Sequence, residues 1–151
     1  MDKVASLDVR AARAEDLTAL LTLYRQLNPD DPAMAEHDAL ARFKEVLAHP
    51  GMTIFIARAN DVAVSSVTLV VIPNLTRGAK PYALIENVVT HADHRQRGYA
   101  RALIEKAITT AWDVGCYKVM LLTGSTEAAT LRFYANCGFS QNKTGFQIRR
   151  P

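Results

Sequence analysis

Glu86 interrupts an otherwise apolar run, Ala83-Leu84-Ile85-Glu86-Asn87-Val88-Val89, and a carboxylate in such company invites chemistry. By strand alternation it shares a face with Leu84 and Val88, while Asn87 faces the other way. Apolar neighbours disfavour the charged form, so its pKa should be raised, which suits a general base that often works through water. A carboxylate on the solvated face of a half-exposed strand fits the same pattern equally well.

Nine residues further on lies a second chemical signal, Arg95-Gln96-Arg97-Gly98-Tyr99-Ala100-Arg101, just ahead of a long helical pattern. The start of a helix presents unpaired N–H groups and partial positive charge, and it normally recruits Asp or Glu. Here it carries Arg95, Arg97 and Arg101, with His94 beside them and no acid after Asp93. Such a turn is unfavourable unless an anion is expected, and Gly98 with Ala100 leaves room for a phosphate to approach the backbone. A solvated basic helix start is the bland alternative. The Gly-Lys-Ser/Thr ending of a Walker A loop is absent, and a single glycine is too few for a dinucleotide fingerprint.

Asp30, Asp31 and Glu36 form a third acidic group, which could attract a cationic amine or simply cap a solvated turn. Cys116 and Cys137 have neither the number nor the spacing of a disulfide framework or a metal site, and read as buried free thiols in a reducing cytoplasm. No metal ligand set is expected.

These groups need a scaffold, and hydrophobic periodicity supplies one. Leu7 to Ala11 reads as a short strand. Leu17, Leu20, Leu21, Tyr24 and Leu27 recur at helical spacing within 15–27, and Leu40, Phe43, Val46 and Leu47 do so within 38–48. The period then changes. Runs 52–58, 62–72 and 81–90 read as strands of an antiparallel meander, with a tight hairpin at Asn60-Asp61. Ala100, Leu103, Ile104, Ala107, Ile108, Ala111 and Trp112 mark a helix that Gly115 stops. A strand at 118–123, a helix at 127–137 capped by Ser125 or Thr126 and ended by Gly138, and a closing strand at 146–149 complete the order. The expected architecture is a single α+β (mixed α/β) domain over 1–151, with a mixed, mostly antiparallel sheet flanked by helices and a strand-helix-strand unit.

Composition agrees with such a domain. The chain has 151 residues, 49% hydrophobic and 22% charged, with a net charge of +3. That balance fits one globular domain and gives no extended basic face for nucleic acid. The longest apolar run, 62–72, is too short and too broken by Ser65, Ser66 and Thr68 to span a membrane, and the start lacks a signal-peptide core.

Element order and turn together resemble the GNAT superfamily of N-acetyltransferases, whose signature (Gln or Arg, two residues, Gly, one residue, Gly or Ala) is matched by Arg95, Gly98 and Ala100. The resemblance implies that the amides from Gln96 to Arg101, Tyr99 among them, hold the pyrophosphate of acetyl-CoA. It also implies that Val88 and Val89 pair with the pantetheine arm through main-chain bonds. The Phe133-Tyr134 and Gly138-Phe139 pairs look like the family's late helix and following strand, so the resemblance makes Tyr134 the proton donor to the departing thiolate; packing is its commoner use. Glu127 stands where the family often has an asparagine. Ile85-Glu86-Asn87-Val88-Val89 and Cys116-Tyr117-Lys118-Val119 are similar to glucosamine-6-phosphate N-acetyltransferases, which places Glu86 in the active site.

The implied function is transfer of the acetyl group of acetyl-CoA to a primary amine of a small molecule, by direct attack in a ternary complex. A protein or peptide acceptor, or a CoA-binding sensor without chemistry, are the alternatives. A homodimer is a family-level expectation, and neither nucleic acid nor membrane is expected as partner.

Overall fold

The computed structural model describes residues 6–151. Five strands form one sheet in sequence order: β1 (Leu7–Ala11), β2 (Met52–Ala59), β3 (Val62–Ile72), β4 (Tyr82–Thr90) and β5 (Val119–Leu121). The first four pair antiparallel and β4 pairs parallel with β5. Helices α1 (Leu17–Leu27) and α2 (Glu36–Ala48) follow β1; a short helical turn α3 (Thr76–Ala79) interrupts the β3–β4 loop; α4 (Tyr99–Asp113) and α5 (Ala128–Asn136) follow β4 and β5.

Strand alternation sorts the sheet's side chains into two cores. On one face Phe55, Ala57, Val67, Leu69, Ala83 and Ile85 pack with Leu103, Ile104, Ala107 and Ala111 of α4. On the other, Ile54 and Ile56 pack with Leu20 of α1 and Phe43 of α2. Side chains such as Leu103 and Ile104, fully withdrawn from water, each contribute roughly 1.5–3 kcal/mol. The Asn60-Asp61 hairpin forms as its residues require, with both φ angles positive at 49° and 64°.

Four expectations are corrected. Residues 146–149 form no strand: alternation gives β propensity, but Phe146 and Ile148 are 92% and 98% exposed and bury no face against the sheet. The last strand is shorter than 118–123, ending at Leu121. Trp112 is half exposed, since it sits about 100° around α4 from the buried Ala111. The cap of α5 is Glu127, with Ser125 Oγ accepting from the Glu127 N–H at 3.2 Å. Gly138 does close that helix, at φ 99°.

Candidate active site

The site begins with a fault in β4. Register between β3 and β4 shifts so that Thr68 pairs with Glu86 and Ser66 with Val89, leaving Asn87 and Val88 opposite the single Val67. Asn87 takes a left-handed φ of 52°, and the pair forms a bulge. A bulge flips the alternation. Glu86 and Val89, three apart, now share the face of Thr68 and Ser66, which is the α1 side. Uniform alternation would have put them on opposite faces.

This corrects the environment of Glu86. The residue is exposed, so the apolar enclosure expected around its carboxylate is absent. What remains of the expectation is position: Glu86 stands where the sheet opens. The β4–β5 ladder joins Ala83, Leu84 and Ile85 to Val119, Met120 and Leu121 and ends there. From Glu86 to Thr90, Val88 and Val89 included, β4 pairs with no strand on its β5 side among the described residues. The Val89 carbonyl is already taken by the Ser65 hydroxyl at 2.8 Å, so further main-chain pairing falls on the neighbouring groups.

The opened strand leads to the basic turn. A 3-10 turn at Ala92–His94 is capped by the His91 ring, which accepts from the Asp93 N–H. Gln26 of α1 accepts from the Ala92 N–H at 2.7 Å, so the helix end and the strand end are tied together. The chain then passes through Gln96 at φ 60° and Gly98 at φ 81° before α4 begins. Ala102 donates the first helical bond, to the Gly98 carbonyl, so the N–H groups of Tyr99, Ala100 and Arg101 precede the helical ladder. The first turn contains no acid and no side-chain cap. A methyl group built on Gly98 meets nothing within 4 Å, so open space lies in front of the amides.

The arginines divide their work. Arg95 Nε reaches back to the Thr90 carbonyl at 3.4 Å, and Arg101 pairs with Glu105 along the helix at 2.9 Å. Arg97 is exposed and forms no ion pair among the described residues. The helix start thus offers free backbone amides, with the exposed Arg97 beside them.

Tyr134 lies on α5, half-buried between Phe133 and Phe139, with ring centroids at 5.1 and 6.3 Å. Burial raises its pKa above the usual phenol value, with the nearby Cys137 adding to the rise. A phenol so placed keeps its proton at neutral pH and can give it away only to a stronger base. Cys116 and Cys137 are free thiols, both pushed up by burial and therefore poor nucleophiles. Asp30, Asp31 and Glu36 are exposed in the turn between α1 and α2 and at the start of α2. Among the described residues no group of His, Cys, Asp or Glu is arranged to hold a metal, and no helix is long and apolar enough to cross a membrane. A separate cavity of about 440 Å³, lined by His49, Gly51, Val71 and Pro81, sits at the other end of β4 and holds none of these residues.

Tyr24 of α1, which periodicity marks only as part of a helix face, brings its hydroxyl to those of Ser66 and Thr68 in the central strand. The available signal was three hydroxyl residues inside an otherwise apolar β3. Only structure shows that two of them share the face of Glu86.

A family model described as the acetyltransferase (GNAT) family matches residues 17–139. Over 150 residues the chain is 28% identical to a glucosamine 6-phosphate N-acetyltransferase from Trypanosoma brucei brucei, covering 98% of this chain and 99% of that one. It is 28% identical over 115 residues to an aminoglycoside N(6')-acetyltransferase type 1 from Serratia marcescens, covering 74% and 79%. A solved structure from Agrobacterium tumefaciens str. C58, provisionally named an acetyltransferase, matches with a TM-score of 0.91 at 54% identity, covering 95% of this chain and 99% of that chain.

Proposed function

The chain belongs to the GNAT acetyltransferase family, and from that premise we propose that it transfers the acetyl group of acetyl-CoA to a primary amine of a small molecule, by direct attack in a ternary complex. The observation that carries this reading is the continuity of two unfilled features. The 86–90 stretch of β4, which beyond Ile85 has no β5 strand beside it among the described residues, runs into an acid-free helix start with open space before Gly98. One accepts an extended polar arm, the other a phosphate, and acetyl-CoA contains both.

In this reading the amides from Gln96 to Arg101 bind pyrophosphate, aided by Arg97 and the partial charge of the helix. Arg95 braces the turn through Thr90. The main-chain groups of Val88 and Val89 that neither the ladder nor Ser65 occupies would hold the pantetheine arm. Acetyl-CoA supplies a thioester already activated for attack by an amine. Glu86 takes the proton of the incoming ammonium, directly or through water, and its exposure lets that proton leave to solvent. Tyr134 holds the proton that the departing sulfur needs, and its burial keeps that proton in place until then. No metal has a role.

The acceptor is read as a small amine because the two named relatives are sugar-phosphate and aminoglycoside acetyltransferases. The free cysteines accord with a reducing cytoplasm, and a homodimer would cover part of the exposed segment that carries Phe146 and Ile148. The direct test is release of free CoA thiol from acetyl-CoA across a panel of primary amines. Tight acetyl-CoA binding without thiol release would turn the reading toward a sensor, and release only with peptides would move the acceptor class.

A further inference from the structure

A basic turn with no acid to answer it lies at the end of the sheet away from the phosphate turn. In α3 Arg77, Gly78 and Ala79 all take left-handed φ, at 57°, 69° and 61°, which crowds the Cβ of Arg and Ala against their own backbone. The Asn74 side chain holds the turn shut, donating to the Thr76 and Lys80 carbonyls at 3.0 and 3.2 Å. The result is a placement. Arg77 lies with its guanidinium 5.9 Å from the Tyr117 ring centre, and the Lys118 ammonium is 5.4 Å from the same ring and 5.1 Å from that of Tyr82. Lys80 stands exposed at the end of the turn. None of the three cations forms an ion pair among the described residues. The rings attract cations but carry no net charge, so the positive charge remains unbalanced. Bordering it is the apolar cavity of about 440 Å³, to which Pro73, Ala79 and Pro81 of the same loop contribute.

The complement of this surface is present in the same chain. Residues 28–35, between α1 and α2, form neither helix nor strand. Asp30, Asp31 and Glu36 are exposed and form no ion pair among the described residues, and Met34 between them is 55% exposed. Pro29 and Pro32 stiffen the segment, which lowers the entropy lost when it docks. It cannot dock at home. Gln26, in the last turn of α1, is bonded to Ala92 just past the end of β4, whereas the basic turn precedes Tyr82 at the start of β4. Nine strand residues, roughly 25–30 Å, separate the two ends.

We infer that the acidic segment of one copy docks on the basic turn of a second, with Met34 entering the cavity and Asp30 and Asp31 meeting Arg77, Lys80 and Lys118. Because the two patches lie at opposite ends of one molecule, an antiparallel pair of copies forms both contacts at once and closes as a two-fold dimer. This gives the homodimer proposed above a specific contact, and it does not rest on the acetyl-transfer reading.

The experiment is a charge swap followed by sedimentation equilibrium of the full chain. Wild type should be dimeric at tens of micromolar and dissociate as salt is raised. Arg77→Glu and Asp31→Lys, each alone, place like charges in both contacts and should raise the dimer Kd about tenfold or more. Mixing the two single variants should restore dimers, since a mixed pair has one Glu–Lys contact and one wild-type contact. The double variant should dimerise as wild type does. A monomeric wild type, a dimer indifferent to either reversal, or a mixture that stays monomeric overturns the interface; in each case CoA thiol release, assayed separately, still decides acetyl transfer. Should Arg77→Glu lower Tm and fail to fold, Lys80→Glu takes its place, at a position with an ordinary φ of −77°.

Discussion

Glu86 and Tyr134 are each defined by exposure, and in opposite ways. The carboxylate is open to water and can pass a proton onward; the phenol is half-buried and retains its own. Replacing Glu86 by Gln keeps size and removes the proposed base. Loss of a positioned base typically costs on the order of a hundredfold or more, so kcat/KM should fall by about that much near neutral pH. It should recover in part as pH rises, because more of the acceptor is then already the free amine. A mutant whose pH profile parallels wild type would make Glu86 a bystander. Tyr134→Phe leaves the ring contacts with Phe133 and Phe139 intact and deletes only the hydroxyl, which makes no hydrogen bond among the described residues. Here kcat should drop about a hundredfold with acetyl-CoA affinity and Tm nearly unchanged. If kcat survives, the ring is packing and solvent supplies the proton.

Among the elements, the start of α4 makes the most specific demand. A helix that puts arginines where acids belong, behind a left-handed glycine with open space before it, is built to await negative charge. Acetyl-CoA at a hundred times its Kd should stabilise the protein by about 2.7 kcal/mol, which is roughly 5–10 °C in Tm for a chain this long. Gly98→Asp should erase that rise. Asp tolerates positive φ better than most residues, and its side chain would point into empty space, so the free protein should lose only about 1 kcal/mol. Gly98→Asn, neutral and of the same shape, separates charge from bulk. An equal ligand-induced rise in wild type and Gly98→Asp would remove this turn from the site. The turn was legible in sequence because its chemistry is local: residue types at fixed spacing before a periodic helix. The bulge was not, since Asn87 adopts positive φ only because two β4 residues must face one Val67, a relation between strands rather than within one. For the same reason the separation of Glu86 from Val88 onto opposite faces was not legible in the sequence.

At the scale of the whole molecule, the antiparallel meander and the strand-helix-strand unit followed from periodicity, while the final segment did not, because its alternation gives β propensity without any face that it buries. The polar anchor of the fold was likewise hidden. Asp16, at the entry to α1, is 2% exposed, and neither its sequence neighbours nor the hydrophobic pattern mark it as special. Arg10 of β1 grips it through both guanidinium nitrogens, at 2.7 and 3.0 Å; the Arg13 N–H donates at 2.7 Å; and Arg58 of β2 approaches to 3.6 Å. One carboxylate thereby joins the edge of the sheet to the helix layer. The Arg10 hydrogen bond is the largest cause holding the Asp16 carboxyl below its usual pKa, with Arg13 and Arg58 acting the same way against the cost of burial. Because the folded value is depressed, the stabilisation is complete above the unfolded value of about 3.9 and is lost as pH falls through the folded one. Asp16→Asn should therefore cost about 3 kcal/mol at neutral pH, the lower end for breaking a buried pair, since both arginines retain some access to water. That corresponds to roughly 6–12 °C in Tm. The cost should shrink as both proteins are measured from about pH 5 downward, because wild type is losing what the mutant never had. Thermal melts of the two across that range check it: parallel Tm curves at all pH values would mean that Asp16 stays ionised or unpaired throughout, and that the sheet and helix layer are held by packing alone.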